Sequence, residues 1–303
     1  MENIIAPIDR TLIKKELKDE RFLRKTNFGD NTLYIITAHN SPNTMQEIGR
    51  LREIAFRDGG GGTGKSVDID EFDTMETPYK QLIVWDPENE EILGGYRFID
   101  GCDVKFSQDR QPLLSSTEIF NFTPKFINEY LPKTIELGRS FVQPAYQTLK
   151  KGLYSLDNLW DGLGALITLN PHISYFFGKV TMYQTYNKEA RDFLLFFVQK
   201  YFPDNGRLVI PTNQLPLETP LEKLTAAYEG KSLDEAYKTM SKLVRERGET
   251  IPPLFNSYIK LSATMRTFGT VVNHHFGDVE ETGILITIND IYDSKKERHL
   301  LHK

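Results

Sequence analysis

The segment T-I-E-L-G-R-S-F-V, Thr134 to Val142, constrains the fold more than any other stretch. Its apolar and β-branched residues read as a strand in a sheet interior, yet it carries Glu136 and Arg139. Ionised groups on a buried strand are costly unless they are paired or put to use. A compensating set stands upstream in Arg52, Asp70, Asp73 and Arg97. For any one pair the bland expectation is an ion pair that fixes packing. Three cations and three anions, each near the end of an expected element, point instead to a shared site.

Composition narrows the setting. A chain of 303 residues has room for one large domain or two modest ones. Its net charge of -5 argues against a general nucleic-acid binder, which would carry a basic excess. Cys102 is the only cysteine, so no intramolecular disulfide forms, which fits a reducing cytoplasm. The first residues lack the basic and apolar regions of a signal peptide, and no run is apolar enough to span a bilayer. The expected location is cytoplasmic, with peripheral contact with the inner membrane left open.

Residues 10–25 are charged and read as helical. Thr32–Ala38 reads as a strand, Ser41–Thr44 as a break that caps a helix, and Met45–Arg57 as that helix. Tyr79–Asp86 and Ile92–Ile99 form an expected hairpin across P-E-N-E. Ser116–Phe120 suggests a short strand, and Pro124–Tyr130 a short helix or turn. After Thr134–Val142 come a buried helix over Leu156–Asn170, a strand over Tyr175–Tyr183 and an amphipathic helix over Lys188–Tyr201. Residues 204–250 are polar, with helical charge patterning in Leu221–Arg247. Val271–Phe276 and Gly283–Asn289 read as a closing antiparallel pair. Mixed sheets with helices on both faces accommodate this order.

Gly59–Ser66 contains G-x-x-x-x-G-K-S, the phosphate-loop pattern. A phosphate loop, however, follows a buried strand and opens a helix whose N-terminus holds the anion. Here a helix precedes the glycines and the acidic V-D-I-D-E-F-D follows them. The plain reading is a flexible loop; the functional one is a lid over substrate. Other signatures are absent: no G-x-S-x-G elbow, and no Cys/His zinc spacing. His274 and His275 fall in an expected strand, where neighbours face opposite ways. The Asp68/Asp70/Asp73 run lacks the glycine and glutamate positions of a calcium loop. Neither a metal nor a tightly bound cofactor is expected.

Arg52-x-x-x-Phe56, Asp70-x-x-Asp73, Gly95-x-Arg97 and Glu136-x-x-Arg139, in that order, resemble the acyl-homoserine lactone synthases. The fuller wording L-R-E-I-A-F, D-I-D-E-F-D, G-G-Y-R-F, E-L-G-R-S-F-V and L-W-D-G-L resembles more closely the ornithine-lipid N-acyltransferases and their glycine-lipid counterparts. Pro252–Leu261 resembles a later element of the same lipid family. The resemblance runs from about residue 45 to 290, interrupted near 204–250. It implies the GCN5-related N-acyltransferase fold: an α/β domain over 1–303 with a mixed central sheet, helices on both faces, and a helical insertion at about 204–265 before the last two strands. In that fold the acyl thioester lies between two splayed strands, here Thr134–Val142 and Tyr175–Tyr183.

The resemblance further implies transfer of a fatty or 3-hydroxy fatty acyl group from acyl carrier protein to the α-amine of a small amino acid, glycine or ornithine, in amino-acid lipid synthesis. Acyl-coenzyme A is the alternative donor. It is disfavoured because Gln143–Gly152 has few of the glycines of a pyrophosphate loop. Lys150 and Lys151 are candidates to meet the acidic carrier protein. Glu136, Arg139 and Arg97 are the catalytic candidates, with Glu136 in the cleft as general base and Arg139 paired with Asp73. Arg52, Phe56, Asp70, Asp73, Leu137, Gly138, Phe141 and Val142 are the substrate-binding candidates. Backbone amides of Leu137–Phe141 would serve the oxyanion. Residues 136 and 139 are three apart, so a regular strand aims them at opposite faces unless a bulge intervenes. Two other classes stay open: a lactone synthase using S-adenosylmethionine, and a catalytically silent carrier- or lipid-binding module. The oligomeric state is not legible.

Overall fold

In the computed structural model, which describes residues 1–147 and 154–299, the strands are β1 (Phe22–Lys25), β2 (Thr32–Ile36), β3 (Lys80–Asp86), β4 (Glu91–Asp100), β5 (Phe120–Phe122), β6 (Thr134–Val142), β7 (Tyr175–Met182), β8 (Val209–Pro211), β9 (Arg266–Asn273) and β10 (Val279–Thr287). Eight of them join one sheet in the order β1-β2-β3-β4-β6-β7-β10-β9, and β5 pairs with β8 as a separate ribbon. Neighbours in the large sheet run antiparallel except β6 and β7. A parallel pair needs a long crossover, and the helix Ser155–Leu169 lies in the connection. The β6–β7 ladder runs only from Thr134–Tyr175 to Leu137–Gly178. Beyond it the two strands continue without pairing to each other, and a wedge opens between them.

Side-chain alternation divides the sheet into two faces. On one, the helix Pro42–Asp58 buries Met45, Ile48 and Leu51 against Ile36, Ile83 and Trp85. Farther along that face the β5–β8 ribbon packs Phe120 and Phe122 with Phe177. On the other face, Leu82, Val84, Phe176 and Val180 meet the helices Ser155–Leu169 and Lys188–Tyr201. The mixed sheet with helices on both faces therefore stands as the sequence implied. Within 204–265, the helices Leu221–Tyr228 and Leu233–Glu246 dock on Lys188–Tyr201, with Tyr228 donating to the Phe193 carbonyl at 2.9 Å. The segment between them and the helix Pro253–Ile259 is tied down by Tyr186, whose hydroxyl donates to the Thr250 carbonyl at 2.9 Å.

Several boundaries differ from the sequence reading. Only Arg10–Glu16 of residues 10–25 is an α-helix, and β1 follows as an edge strand. The strand expected over Ser116–Phe120 lies at Phe120–Phe122. The charge pattern of Leu221–Arg247 belongs to two helices, parted where Gly230 takes a φ of +68°. The final hairpin turns at residues 274–278, not 277–282, so His274 and His275 occupy a helical turn rather than a strand.

Candidate active site

The charged residues converge on the face covered by the helix Pro42–Asp58. That helix sends in Arg52, which is fully buried. The one-turn helix Glu71–Thr74 presents Asp70 and Asp73, whose side chains and backbone amides form a reciprocal capping box. Asp73 stands between two guanidinium groups, with Arg52 Nη1 at 3.2 Å and Arg97 Nη1 at 3.3 Å. Burial would raise its pKa, but Arg52 and Arg97 outweigh that and hold the carboxyl at about 2. Arg97 also donates to both oxygens of Asp70 at 2.7 Å and lies over the rings of Tyr79 and Phe72. Gln81 joins Asp73 to Arg52, accepting from Arg52 and donating to Asp73 Oδ1 at 2.9 Å.

Arg139 takes a different partner from the one expected. It binds Asp68, with Nε 3.0 Å from Oδ2, and reaches Asp70 at 3.7 Å. The cause is a bulge. Gly95 pairs with Phe141 but Arg97 pairs with Gly138, so β6 carries one extra residue, and Arg139 adopts a φ of +50°. The bulge brings Arg139 to the face that Glu136 already occupies and stacks its guanidinium 4.0 Å from the Phe276 ring centroid.

Glu136 does not line the cleft, contrary to the expectation. It is 2% exposed and lies behind the wall. Tyr79 donates to its Oε2, and Ser116 donates to Oε1 from both hydroxyl and backbone amide. The Tyr79 oxygen in turn accepts from the Ser115 amide at 3.0 Å. Burial and the neighbouring carboxylate raise the Tyr79 pKa well above the phenol range, so the phenol keeps its proton and donates it toward Glu136.

Two cavities meet where β6 and β7 part. The inner one, about 70 Å³, is lined by Arg97, Leu137, Gly138, Arg139, Lys179 and Glu281 among others. The outer one, about 660 Å³, is mainly apolar and runs past Phe141, Val142, Tyr183 and Tyr186 to a roof made by Glu249, Thr250 and Pro252–Leu254. Phe56, Ser140, Thr181, Leu254 and Phe276 border both. Of the expected site residues, Phe56, Arg97, Leu137, Gly138, Arg139, Phe141 and Val142 therefore reach a cavity. Arg52, Asp70 and Asp73 stand behind them, the two carboxylates as counter-charges and Arg52 paired to Asp73.

Sequence reasoning missed Lys179 and Glu281. Lys179 on β7 is 2.9 Å from Glu281 Oε2 on β10, and Asn273 donates to the same oxygen at 2.8 Å. Burial alone would raise the Glu281 pKa; Lys179, Asn273 and Arg139 outweigh it and keep the carboxylate ionised. A lysine inside the already expected strand F-F-G-K-V was the available signal.

The glycine segment is not a free lid. The Glu53 carboxylate accepts the backbone amides of Thr63 and Gly64 at 3.0 and 2.8 Å, and Arg57 Nε at 2.7 Å. The amides that would cradle a phosphate thus hold a carboxylate of the same chain. The loop packs so closely on Tyr183 that a Cβ at Gly59 would lie 2.5 Å from its ring. Lys150 and Lys151 lie outside the described residues. Among the described residues, Asp100, Cys102 and His172 bring potential metal ligands within 4.8 Å of one another, away from the wedge, and two of the three are exposed. No helix among the described residues is long and apolar enough to cross a membrane.

A GNAT acetyltransferase domain is matched over residues 51–156. The chain is 55% identical over 303 residues to the glycine N(alpha)-acyltransferase of Bacteroides thetaiotaomicron, an alignment covering 99% of this chain and 90% of that protein. It is 53% identical over 303 residues to the glycine N(alpha)-acyltransferase of Phocaeicola vulgatus, with 99% and 93% covered. Among solved structures, FeeM, an N-acyl amino acid synthase from uncultured soil microbes, aligns over 89% of this chain and 95% of its own, at 10% identity and a TM-score of 0.39.

Proposed function

The chain belongs to the glycine N(alpha)-acyltransferase family, carries the GNAT acetyltransferase domain and is an N-acyltransferase; on that premise we propose that it moves a fatty acyl group from a thioester donor to the α-amine of glycine. The observation that carries this reading is the junction of a long apolar cavity with a small charged one at the β6–β7 wedge. The acyl chain lies in the outer cavity and the amino acid in the inner one. Their common border, at Ser140 and Thr181, is where the thioester carbon meets the amine.

The edge of β6 that faces β7 has no ladder partner from Gly138 onward. Amides along such an edge are donors already in place for the oxyanion, and they need no reorganisation as charge develops. Arg139 and Arg97 line the inner cavity, and Asp68, Asp70 and Asp73 compensate their charges. Glu136, out of reach of the amine, supports the wall through Tyr79 and Ser115.

Acyl carrier protein is the proposed donor. The chain leaves β6 through the turn Pro144–Tyr146, which starts with a residue that has no N–H to offer a pyrophosphate. The product, an N-acylglycine, is a precursor for an amino-acid lipid. Incubating the protein with 3-hydroxyacyl carrier protein or acyl-coenzyme A and a panel of amino acids, read by mass spectrometry, tests the reading. N-acylglycine formed faster from the carrier protein supports it. Ornithine as the preferred acceptor overturns the glycine assignment, preference for coenzyme A overturns the donor, and failure to acylate any amino acid overturns the whole.

A further inference from the structure

We propose that Lys179 and Glu281 form the acceptor site, an ion pair that opens to take a zwitterionic amino acid. This inference rests on the acyl-transfer reading above and names the residues that grip its acceptor. An amino acid at neutral pH carries a carboxylate and an ammonium group within a few bonds of each other. A site for it needs one cation and one anion, close together, desolvated, and each with spare hydrogen-bonding capacity.

The inner cavity holds such a pair. Among the described residues, Glu281 is the only carboxylate that lines it. Its Oε2 is taken up by Lys179 at 2.9 Å and Asn273 at 2.8 Å. Its Oε1 has only a long contact of 3.5 Å from the Thr181 hydroxyl, so it keeps accepting capacity for an ammonium. Lys179 has three N–H donors, and among the described residues Glu281 is the partner it meets. The other two cations of the cavity are already committed, Arg97 to Asp70 and Asp73, and Arg139 to Asp68 and Asp70. Lys179, with two N–H donors beyond its contact with Glu281, is therefore the cation that can bind the carboxylate of the acceptor, and Glu281 Oε1 the group that receives its ammonium. Lys179 and Glu281 are 10% and 5% exposed at their side chains, so water competes weakly for either.

Position fits the chemistry as well. Lys179 directly follows Gly178, the last residue of β7 paired to β6, and so sits at the apex of the wedge. The ammonium nitrogen loses two protons in the reaction. Glu281 relays the first to solvent, leaving a neutral amine. The nitrogen then bonds to the thioester carbon, and Glu281 takes the second proton. The C–S bond breaks, that proton passes to the departing thiolate, and the donor leaves as a thiol with Glu281 ionised again.

The test compares glycine with glycinamide, which keeps the amine and lacks the carboxylate. In Lys179→Met, KM for glycine should rise roughly ten- to a hundredfold while that for glycinamide stays within about threefold. In Glu281→Gln, kcat should fall about a hundredfold with both acceptors. Because removing one member of a buried pair can unfold the chain, the double variant Lys179→Met/Glu281→Gln, which leaves no lone charge, is measured alongside by thermal melts. It should fold and have lost the preference for glycine over glycinamide. Equal effects of Lys179→Met on both acceptors, or preserved preference in the folded double variant, overturn the inference while leaving acyl transfer standing. A wild-type protein that acylates no amino acid overturns both.

Discussion

Tyr79 covers Glu136: its phenol donates to Oε2 of a carboxylate whose other oxygen is held by Ser116. The donation runs in one direction, because burial and the neighbouring charge keep the phenol protonated. Removing the hydroxyl in Tyr79→Phe leaves Oε2 without that donor. The expected loss is about 1–3 kcal/mol of stability. In denaturant melts, Tyr79→Phe and Glu136→Gln should couple by about 0.5–3 kcal/mol in a double-mutant cycle. Additive losses would show that the contact carries no energy.

Asp73 predicts how the protein responds to acid. Its folded pKa of about 2 lies below the ordinary 3.8. A depressed carboxyl contributes stability that is fully present above the unfolded value and is lost as pH falls through the folded one. The contribution is about 2–3 kcal/mol at neutral pH. Stability should therefore drop between about pH 4 and pH 2 in the wild type. Asp73→Asn should lack that part of the drop and start lower, because Arg52 is left buried beside a neutral amide. Denaturant titrations at neutral and acid pH read both quantities. Parallel pH curves for the two proteins would refute the assignment.

Arg139 should couple to Asp68 and only weakly to Asp73. Asp68 has a fully buried side chain, so Arg139→Ala leaves a lone charge and costs roughly 3–5 kcal/mol. Most of that cost should disappear in the background of Asp68→Asn, and little of it in the background of Asp73→Asn. A stronger coupling with Asp73 in the cycle would reinstate the pairing expected from sequence.

Calorimetry with ATP and magnesium should detect no binding, in the wild type or in Lys65→Ala, because Glu53 fills the glycine turn. Glu53→Gln turns an acceptor-only group into one that carries donors opposite the amides of Thr63 and Gly64. It should lower stability by about 1–3 kcal/mol. Micromolar nucleotide binding that depends on Lys65 would contradict this account of the loop.

Local patterns were the legible part of the fold. Thr134–Val142 and Lys188–Tyr201 have the bounds read from sequence, since apolar periodicity over nine or fourteen residues identifies each element. The charged set was legible too, because Arg52, Arg97, Glu136 and Arg139 interrupt apolar runs and must therefore be compensated. Their partners were not. Which acid meets Arg139 depends on a bulge at one residue, and composition does not encode a positive φ at an arginine. Glu280 and Glu281 were hidden for a related reason. Adjacent acids read as a turn, whereas in β10 they point to opposite faces, Glu280 to Arg191 and Glu281 to Lys179. The edge strands β1 and β8 are too short to carry a periodic signal.

The roofed outer cavity has a consequence for how the chain matures. Phe56 comes from an early helix, Phe141 from the middle of the sheet, Leu254 from the helix Pro253–Ile259 and Phe276 from the turn between β9 and β10. Contacts between such distant segments form late, after the entropy of closing long loops has been overcome. If the outer cavity holds the acyl chain as proposed, its walls are complete only when the hairpin that carries Phe276 has closed.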